Sequence, residues 1–355
     1  MGTTGTMGML WGKYRRPLLI GVGLGAAAFV AVLLLSDVSQ LVRYATAFPW
    51  LIMIPVLALR VGNWALRFLK WHFYLGLVGV PNIRVGDSAA VFLMGFPLAI
   101  SPGKAAEVLK SFVLHSLTGT PIAQTLPVVA AERLSDGMAV LILIAWSLLS
   151  LADSAYWSVV FIPLALMVIG ISILQIRPLC RWILHRLTAA PLIGRFAHSF
   201  EVFYESSYQI VRLRSLVVAV GLGTLANLLD GVGVYLILVG IGQPPTATTF
   251  FQALLVISLS VVAGSLSGMP GAIGASDLTI TGSLQRLIGL GVAQAGFATL
   301  VIRVVQLWFG VFVGAAVTYL ARGRLFTAKA TGQEQGAITP PAPRRSAPLE
   351  GQTQP

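Results

Sequence analysis

Residues 267–277 read SGMPGAIGASD, and residues 100–107 read ISPGKAAE. Each stretch places a Pro-Gly pair within apolar sequence and ends in a carboxylate, Asp277 in one and Glu107 in the other. Because proline and glycine both interrupt helices, each pair predicts a turn between two helical arms. The alternative is an ordinary surface turn, which is the commoner use of this pair.

The two stretches belong to a longer pattern that occurs twice, namely an Asn, then Pro-Gly, then an Arg. The first copy consists of Asn63, Pro102, Gly103 and Arg133, and the second of Asn227, Pro270, Gly271 and Arg303. The Asn precedes the proline by 39 and 43 residues, and the Arg follows it by 31 and 33. A broken segment at corresponding places in two hydrophobic halves is typical of the central site of a membrane transporter.

The composition indicates a membrane protein. Of the 355 residues, 56% are hydrophobic and only 10% are charged, whereas soluble domains carry about a quarter charged residues. Several stretches reach the ~20 apolar residues needed to cross the hydrocarbon core. The formal net charge of +12 comes from basic residues beside these stretches, which favours contact with anionic lipid headgroups. We therefore expect no nucleic-acid partner.

Metal and cofactor chemistry are not indicated. The chain has one cysteine, Cys180, and four scattered histidines without metal-ligand spacing. A disulfide framework and a thiolate metal site both need more cysteines than this. We expect no metal, no cofactor and no catalytic residue.

The hydrophobic stretches predict an all-α polytopic fold with six full crossings and two re-entrant segments broken at Pro-Gly. The expected crossings are at about 17–35, 48–70, 125–151, 156–176, 215–240 and 290–321, and the broken segments at 88–112 and 250–287. Residues 177–214 mix arginines with apolar residues, as amphipathic surface helices do. The tail after Arg322 is rich in Pro and Gln, and we expect it to be disordered.

This topology divides the chain into five regions and makes the two halves inverted. The regions are the first span (1–47), the first half (48–151), a linking span with the amphipathic segment (152–214), the second half (215–322) and the tail (323–355). The distribution of basic residues predicts cytoplasmic N- and C-termini in a bacterial inner membrane. The broken segments then enter from opposite sides and line one cavity.

Charged residues inside the apolar halves are the candidates for a binding site. Arg133 and Arg303 can grip a phosphate with forked hydrogen bonds. Alternatively, Arg133 is neutralised by nearby Glu132 and Asp136, and Arg303 forms an ion pair with Asp277.

The two carboxylates that end the Pro-Gly stretches also have two interpretations. Glu107 and Asp277 can carry a proton between states, or they neutralise neighbouring cations such as Lys104. On the span at 48–70, Arg60 and Asn63 are expected at the site. The predicted substrate-binding set is Arg60, Asn63, Pro102, Gly103, Lys104, Glu107, Arg133, Asp136, Asn227, Pro270, Gly271, Gly274, Asp277 and Arg303.

Two further cations on the same span, Arg67 and Lys70, are expected to be anchors at the membrane interface. They lie toward the cytoplasmic end of the predicted crossing, where long basic side chains can reach the headgroups while their stems stay in the apolar layer. They are therefore left out of the predicted binding set.

With these residues in place, the chain resembles the flippase-like integral membrane family, the transmembrane region also found in lysylphosphatidylglycerol synthases. The matching stretches are RVGNWALRFLKW (60–71), ISPGKAAEVLKSFVL (100–114), ERLSD (132–136), SGMPGAIGASD (267–277) and the span around Arg303. Ala106 and Ala272 stand where the family has Gly, and Asp277 where it has Glu. The soluble domain that transfers lysine to the lipid is absent, so the resemblance implies lipid handling and not an enzyme.

Three functions follow as alternatives. The leading one is translocation or handling of an anionic or polyprenyl-type lipid, whose headgroup is held by arginines in the cavity. The second is an accessory membrane subunit that presents lipid to a separate transferase. The third is a small-ion channel or a carrier of small solutes or ions; the absence of a ring of pore-lining carboxylates disfavours the channel.

Overall fold

The structure is a computed structural model that describes residues 38–80, 83–98, 105–151, 160–167, 169 and 197–327. Within these ranges the regular structure is entirely helical, without a strand. The prediction of an all-α polytopic membrane protein is therefore confirmed.

The described residues 38–151 contain five helices. They are α1 (Val38–Ala47), α2 (Met53–Leu77), α3 (Val85–Leu98), α4 (Ala105–Thr118) and α5 (Ile122–Leu151), and a short 3-10 turn at Trp50–Ile52 leads into α2. Helix α3 and helix α4 have 14 residues each, which is too short to cross the hydrocarbon core. They are the two arms expected around the first Pro-Gly pair.

Helix α6 (Ala197–Ile210) precedes the second half, which contains another five helices. They are α7 (Leu213–Gly240), α8 (Ala247–Ser267), α9 (Ala275–Ser283), α10 (Val292–Arg303) and α11 (Phe309–Thr327). A 3-10 turn at Pro270–Ala272 separates α8 from α9. Turns of π-helix at Leu284–Ile288 and Val304–Trp308 follow α9 and α10.

In the described part of the chain, five helical segments are long and apolar enough to cross a membrane. They are Trp50–Leu77, Ile122–Leu151, Leu213–Gly240, Ala247–Ser267 and Val292–Ala321. Four of them coincide with expected crossings. The expected first span at 17–35 lies outside the described residues, and of the linking span at 156–176 only 160–167 and 169 are described.

Helix α8 differs from the expectation of a segment that only re-enters. It has 21 residues, or about 31 Å at 1.5 Å per residue, which matches the ~30 Å hydrocarbon core. The helix ends at Gly268, in a left-handed conformation, before Pro270 can interrupt it. The second break therefore falls at the end of a helix that is long enough to cross the hydrocarbon core.

Two other boundaries differ from the sequence analysis. Helix α11 continues to Thr327, five residues into the stretch that we expected to be disordered. Within the expected amphipathic segment, α6 packs against α5, and its Ser206 and Ile210 are buried. This part of the segment is therefore attached to the helix bundle and does not only cover the membrane surface.

The helix packing joins the two halves closely. Helix α2 packs along α7 at the centre, α3 packs on α11, and α8 packs on α5. The first arm of each hairpin thus contacts the last span of the other half. Large apolar side chains such as Leu51, Leu149 and Leu320 are exposed on the outside, as expected for a surface that faces lipid.

Candidate functional site

The polar face of α2 is the centre of the candidate site. Arg60, Asn63, Arg67 and Lys70 are spaced three or four residues apart, which places all of them on one side of the helix. This side faces α7 and α5, and Asn63 and Lys70 are almost completely buried, at 0% and 1% exposure. An apolar helix therefore directs three cations and an amide into the bundle.

Arg67 and Lys70 share one carboxylate. Arg67 Nη1 lies 2.6 Å from Asp136 Oδ2, and Lys70 Nζ lies 2.5 Å from Asp136 Oδ1. Lys70 Nζ also donates a hydrogen bond to Ser135 Oγ at 3.3 Å. We call Arg67, Lys70 and Asp136 the central ionic cluster; its three formal charges sum to +1.

The two asparagines of the repeated pattern meet at this cluster. Arg67 Nε donates to Asn63 Oδ1 at 3.1 Å, and Arg67 Nη2 donates to Asn227 Oδ1 at 3.2 Å. Each asparagine in turn donates to a carbonyl oxygen of α7, Asn63 to that of Ala226 at 2.7 Å and Asn227 to that of Gly223 at 2.8 Å. The two asparagines are 164 residues apart in the sequence, and both accept hydrogen bonds from the guanidinium group of Arg67.

A second ion pair lies on the same face of α2. Arg60 Nη1 is 2.9 and 2.8 Å from the two carboxylate oxygens of Asp230 on α7. Arg60 Nη2 donates to the carbonyl oxygen of Gln306 at 2.7 Å, in the π-helical turn after α10. The guanidinium also lies 5.8 Å from the ring centre of Trp64, within the range of a cation–π contact.

The second Pro-Gly turn is held by Asp277 and Arg303. Arg303 Nε lies 2.8 Å from Asp277 Oδ1, and Arg303 Nη2 donates to the carbonyl oxygen of Gly271 at 2.9 Å. The other oxygen of Asp277 accepts a hydrogen bond from the Gly274 amide at 2.7 Å. Gly271 and Gly274 have positive φ angles, 59° and 85°, a region that glycine enters without steric cost.

The first Pro-Gly turn lies largely outside the described residues. This applies to Pro102, Gly103 and Lys104, and Glu107 lies in α4 with its side chain outside the described part. The expectation that the two turns line one shared cavity is therefore not tested. Arg133, the first-half counterpart of Arg303, is exposed on α5, whereas Arg303 is mostly buried.

Several pairings differ from those expected from neighbouring residues in the sequence. Asp136 pairs with Arg67 and Lys70, and Glu132 pairs with Lys110 at 3.7 Å. Each of the two carboxylates therefore has a basic partner on another helix. The expectation that Lys70 is an interfacial anchor is wrong, because its side chain is 1% exposed. Its alkyl chain extends toward α5, so the ammonium group contacts the carboxylate of Asp136 and does not reach the membrane surface.

An apolar groove is formed by α5 and α7, two helices that also carry Asp136 and Asn227 of the site. It has a volume of about 520 Å³ and runs between α5 and α7; its lining includes Met138, Ile142, Leu216, Val220, Thr224 and Leu225. Gly223 is next to Thr224, and a Cβ atom there would lie 3.3 Å from Asp136 Oδ1. The lack of a side chain at Gly223 therefore lets α7 approach the carboxylate of the cluster closely.

Metal binding finds no support in this arrangement. Among the described residues, no three His, Cys, Asp or Glu side chains are grouped as a metal site requires. The carboxylates of the site instead contact arginine and lysine side chains.

These features define a polytopic helical membrane protein with a charged centre and a helix break at the second Pro-Gly pair. Residues 18–314 match the family described as the lysylphosphatidylglycerol synthase TM region, and the chain belongs to this family. A UPF0104 membrane protein of Methanothermobacter thermautotrophicus is 24% identical over 320 residues, which cover 84% of this chain and 91% of the relative. The resemblance inferred from the motifs is confirmed.

Proposed function

We propose that the protein binds the headgroup of an anionic lipid at the central ionic cluster and moves the lipid between the two leaflets. The observation that carries this proposal is the buried grouping of Arg67 and Lys70 around the single carboxylate of Asp136. An unbalanced buried charge is costly in a bilayer, so such residues pair with a counter-ion or face a wet cavity. A lipid phosphate supplies the missing negative charge.

The cluster keeps hydrogen-bond donors for such a phosphate. Arg has five N–H donors and Lys three, and the contacts among the described residues use three on Arg67 and two on Lys70. Arg67 is also the more accessible of the two, with 23% of its side chain exposed. We therefore assign the first contact with the headgroup to Arg67.

The apolar groove between α5 and α7 supports a lipid in preference to a free anion. It is lined almost entirely by apolar side chains and is formed by the helices that carry Asp136 and Asn227. A headgroup at the cluster can thus keep its hydrocarbon chain in apolar surroundings, in the groove or in the adjoining bilayer, and the chain is not exposed to water. A small soluble anion gains nothing from this groove.

In each half, the first helix of the broken segment packs against the last span of the other half. This reciprocal packing supports an inverted repeat, the arrangement that allows alternating access. Helix α3 packs on α11 and α8 packs on α5, as expected if one half is related to the other by a twofold operation. The sequence spacing agrees, since 26 residues separate Glu107 from Arg133 and also Asp277 from Arg303. In this proposal Arg303 and Asp277 hold the second turn, and they are not the main headgroup contacts.

Reconstitution into liposomes tests the proposal. Wild-type protein is expected to accelerate the flip of fluorescently labelled phosphatidylglycerol, and Arg67→Gln is expected to return the rate to nearly that of empty liposomes. Arg43→Gln is the matched control, because Arg43 is exposed on α1 and the chemical change is the same. Equal rates for wild type and Arg67→Gln would refute the assigned site.

A parallel measurement separates a lipid transporter from a solute carrier. The same liposomes are tested for uptake of inorganic phosphate. Phosphate uptake without an effect on lipid flip would favour the carrier alternative and overturn the lipid proposal.

The family description favours a second candidate, since it refers to the transmembrane region of a synthase. In this version the protein presents an anionic lipid to a separate transferase. It predicts that a transferase co-purifies with the protein in mild detergent and that the purified protein alone does not flip lipid. Flip by the purified protein alone would exclude it as the complete function.

The location in a bacterial inner membrane with both termini in the cytoplasm is part of the proposal and rests on the positive-inside rule. The single cysteine, Cys180, makes the orientation testable. In a Cys180→Ser background, a cysteine introduced near residue 350 should react with an impermeant maleimide only after the cells are opened.

A further inference from the structure

A further buried ion pair, outside the central ionic cluster, connects α4 and α5. Lys110 on α4 and Glu132 on α5 approach to 3.7 Å between Nζ and Oε2, and their side chains are only 9% and 7% exposed. This separation is longer than a hydrogen bond. Within the described structure, no hydrogen-bond donor reaches Glu132 Oε2. A buried carboxylate oxygen without a donor is costly when ionised.

The lysine of this pair has other stabilising contacts. Lys110 Nζ lies 5.0 Å from the ring centre of Trp71 and 5.0 Å from that of Phe92, where ring faces attract a cation. Gly95 leaves room for this arrangement, because a Cβ atom there would lie 2.6 Å from Lys110 Cε. The cation therefore keeps favourable contacts even when its carboxylate partner is neutral.

We propose that Glu132 is a proton-binding site that couples lipid movement to the proton gradient; this inference rests on the function proposed above. A proton taken up from water adds to Oε2 and converts the ion pair into a neutral acid beside a lysine held by two aromatic rings. Loss of that proton to the other side restores the ion pair. No other bond changes in either step.

The change in charge acts between two helices that the ion pair connects. Lys110 lies on the second arm of the first hairpin, and Glu132 lies on the span that follows it. Protonation removes the attraction between them, so the hairpin arm can shift relative to α5. This is the kind of two-state element through which a local charge change alters a transport cycle.

Asp136 is a poorer proton site than Glu132, although both lie on α5. Asp136 has two cations at 2.5 and 2.6 Å, whereas Glu132 has one at 3.7 Å. Close cations favour the ionised carboxylate. Of the two carboxylates, Glu132 therefore gains a proton with the smaller loss of interaction energy.

Other ionisable groups lie on the helices packed around Glu132. Arg67, Lys70 and Tyr74 on α2 interact with it electrostatically, and the Tyr74 hydroxyl donates to the carbonyl oxygen of Ala131 at 3.5 Å. Helix α8 has no ionisable residue. The remaining ionisable side chains that the structure describes on these packed elements are Arg60 and His72 on α2, His115 on α4, Arg133 on α5, Glu205 and Tyr208 on α6, and Arg214, Asp230 and Tyr235 on α7.

Infrared spectroscopy tests the proton site without any transport measurement. Wild-type protein in nanodiscs is titrated with acid, and the C=O stretching band of a protonated buried carboxyl group is followed. We expect a band that appears on acidification and is missing in Glu132→Gln but present in the control Glu205→Gln. A wild type without such a band, or a band that persists in Glu132→Gln, would overturn the proposal.

A second variant keeps the test decisive if Glu132→Gln does not fold. Gly95→Ala displaces the ammonium end of Lys110, a flexible group that can move. Because the distance between the ammonium group and Glu132 changes, the interaction that favours the ionised carboxylate changes too, and the band should appear at a different pH than in wild type. An unchanged titration would contradict the role of Lys110 as the counter-ion.

Lipid flip under an imposed pH gradient then tests the coupling. We expect the gradient to raise the wild-type rate several-fold and to leave the rate of Glu132→Gln unchanged. A wild type that flips lipid equally fast with and without the gradient would refute the coupling but leave the transport proposal intact. A wild type that flips no lipid would refute the transport proposal, and the infrared titration would still decide on the proton site.

Discussion

Arg60 in the first half and Asp230 in the second half form an ion pair at 2.8 Å at the centre of the helix bundle. Asp230 also accepts a hydrogen bond from Asn63 at 3.2 Å, and Arg60 donates to the carbonyl oxygen of Gln306 at 2.7 Å. Helices α2 and α7 and the turn after α10 therefore meet at this ion pair. The two halves are connected here by charge as well as by packing.

Removing one partner of this ion pair should destabilise the protein more than removing both. Asp230→Leu leaves Arg60 largely buried without its counter-ion, whereas Arg60→Met with Asp230→Leu leaves no unpaired charge. Because the side chains are 15% and 10% exposed, we expect the single change to cost about 2–3 kcal/mol, at or below the usual range for a broken buried pair. Thermal unfolding in detergent should give a lower Tm for the single variant than for the double variant.

Arg43→Met is the control for this comparison, because it removes an arginine that is exposed on α1. Its Tm is expected to stay close to that of wild type. If the effects of Arg60→Met and Asp230→Leu simply add in the double variant, the two residues are not energetically coupled.

The conformation of the second turn predicts a large cost for Gly274→Ala. Gly274 has φ 85° and ψ −60°, a combination outside the left-handed region that other residues reach with moderate strain. We expect a loss of about 1–3 kcal/mol and a lower Tm. Gly282→Ala is the matched control, because Gly282 lies inside α9 and a Cβ atom there has nothing within 4 Å.

The control should shift the stability in the opposite direction. Alanine is favoured over glycine within a helix by about 1 kcal/mol, so Gly282→Ala should keep or raise the Tm. Equal destabilisation by the two substitutions would show that the turn does not require the backbone angles of Gly274.

The part of the site that follows the repeated sequence pattern could be predicted. Asn63 and Asn227 occupy corresponding places in two apolar halves, and they hold the same guanidinium group. The Arg303–Asp277 ion pair was one of two alternatives, and the structure contains it. Both cases follow from the rule that a polar or charged group in an apolar span needs a polar or oppositely charged partner.

The pairing of Asp136 could not be read from the sequence. Its partners Arg67 and Lys70 are 69 and 66 residues away, and only the packing of α2 on α5 brings them together. The neighbouring Arg133 is three residues from Asp136, and this spacing suggested a local pair. Arg133 is exposed on α5, and Asp136 forms ion pairs with Arg67 and Lys70 on α2, which the spacing along α5 does not indicate.

The length of α8 was also not predictable from the Pro-Gly pair alone. The pair indicates that a helix ends, but the apolar stretch before it does not show where that helix begins. Thr246 provides the start, since its Oγ1 accepts a hydrogen bond from the Thr249 amide at 3.2 Å. This N-cap fixes a helix of 21 residues and makes it a full-length span.

Close packing of α3 on α11 predicts that Gly314 does not tolerate a larger side chain. A Cβ atom at Gly314 would lie 2.5 Å from the carbonyl oxygen of Leu93 and 2.5 Å from Pro97 Cδ. Gly314→Ala must therefore push the two helices apart, at a cost of about 1–3 kcal/mol. The Tm in detergent should fall, and amide exchange in α3 should become faster.

Gly221→Ala is the control for this substitution, because Gly221 is also a glycine in an apolar helix and has nothing within 4 Å of a Cβ atom. It should leave the exchange of α3 unchanged. Faster exchange in both variants would mean that the effect is not specific to the contact between α3 and α11.

Asp277→Ala should release the second turn, because Asp277 connects it to two groups. One carboxylate oxygen accepts from the Gly274 amide and the other contacts Arg303. Arg303→Met removes the ion pair and the contact with the Gly271 carbonyl oxygen, but it leaves the hydrogen bond from Gly274 to Asp277. Amide exchange at Gly274 should therefore accelerate strongly in Asp277→Ala and only weakly in Arg303→Met. The opposite order would show that Arg303, and not the carboxylate, holds this part of the turn.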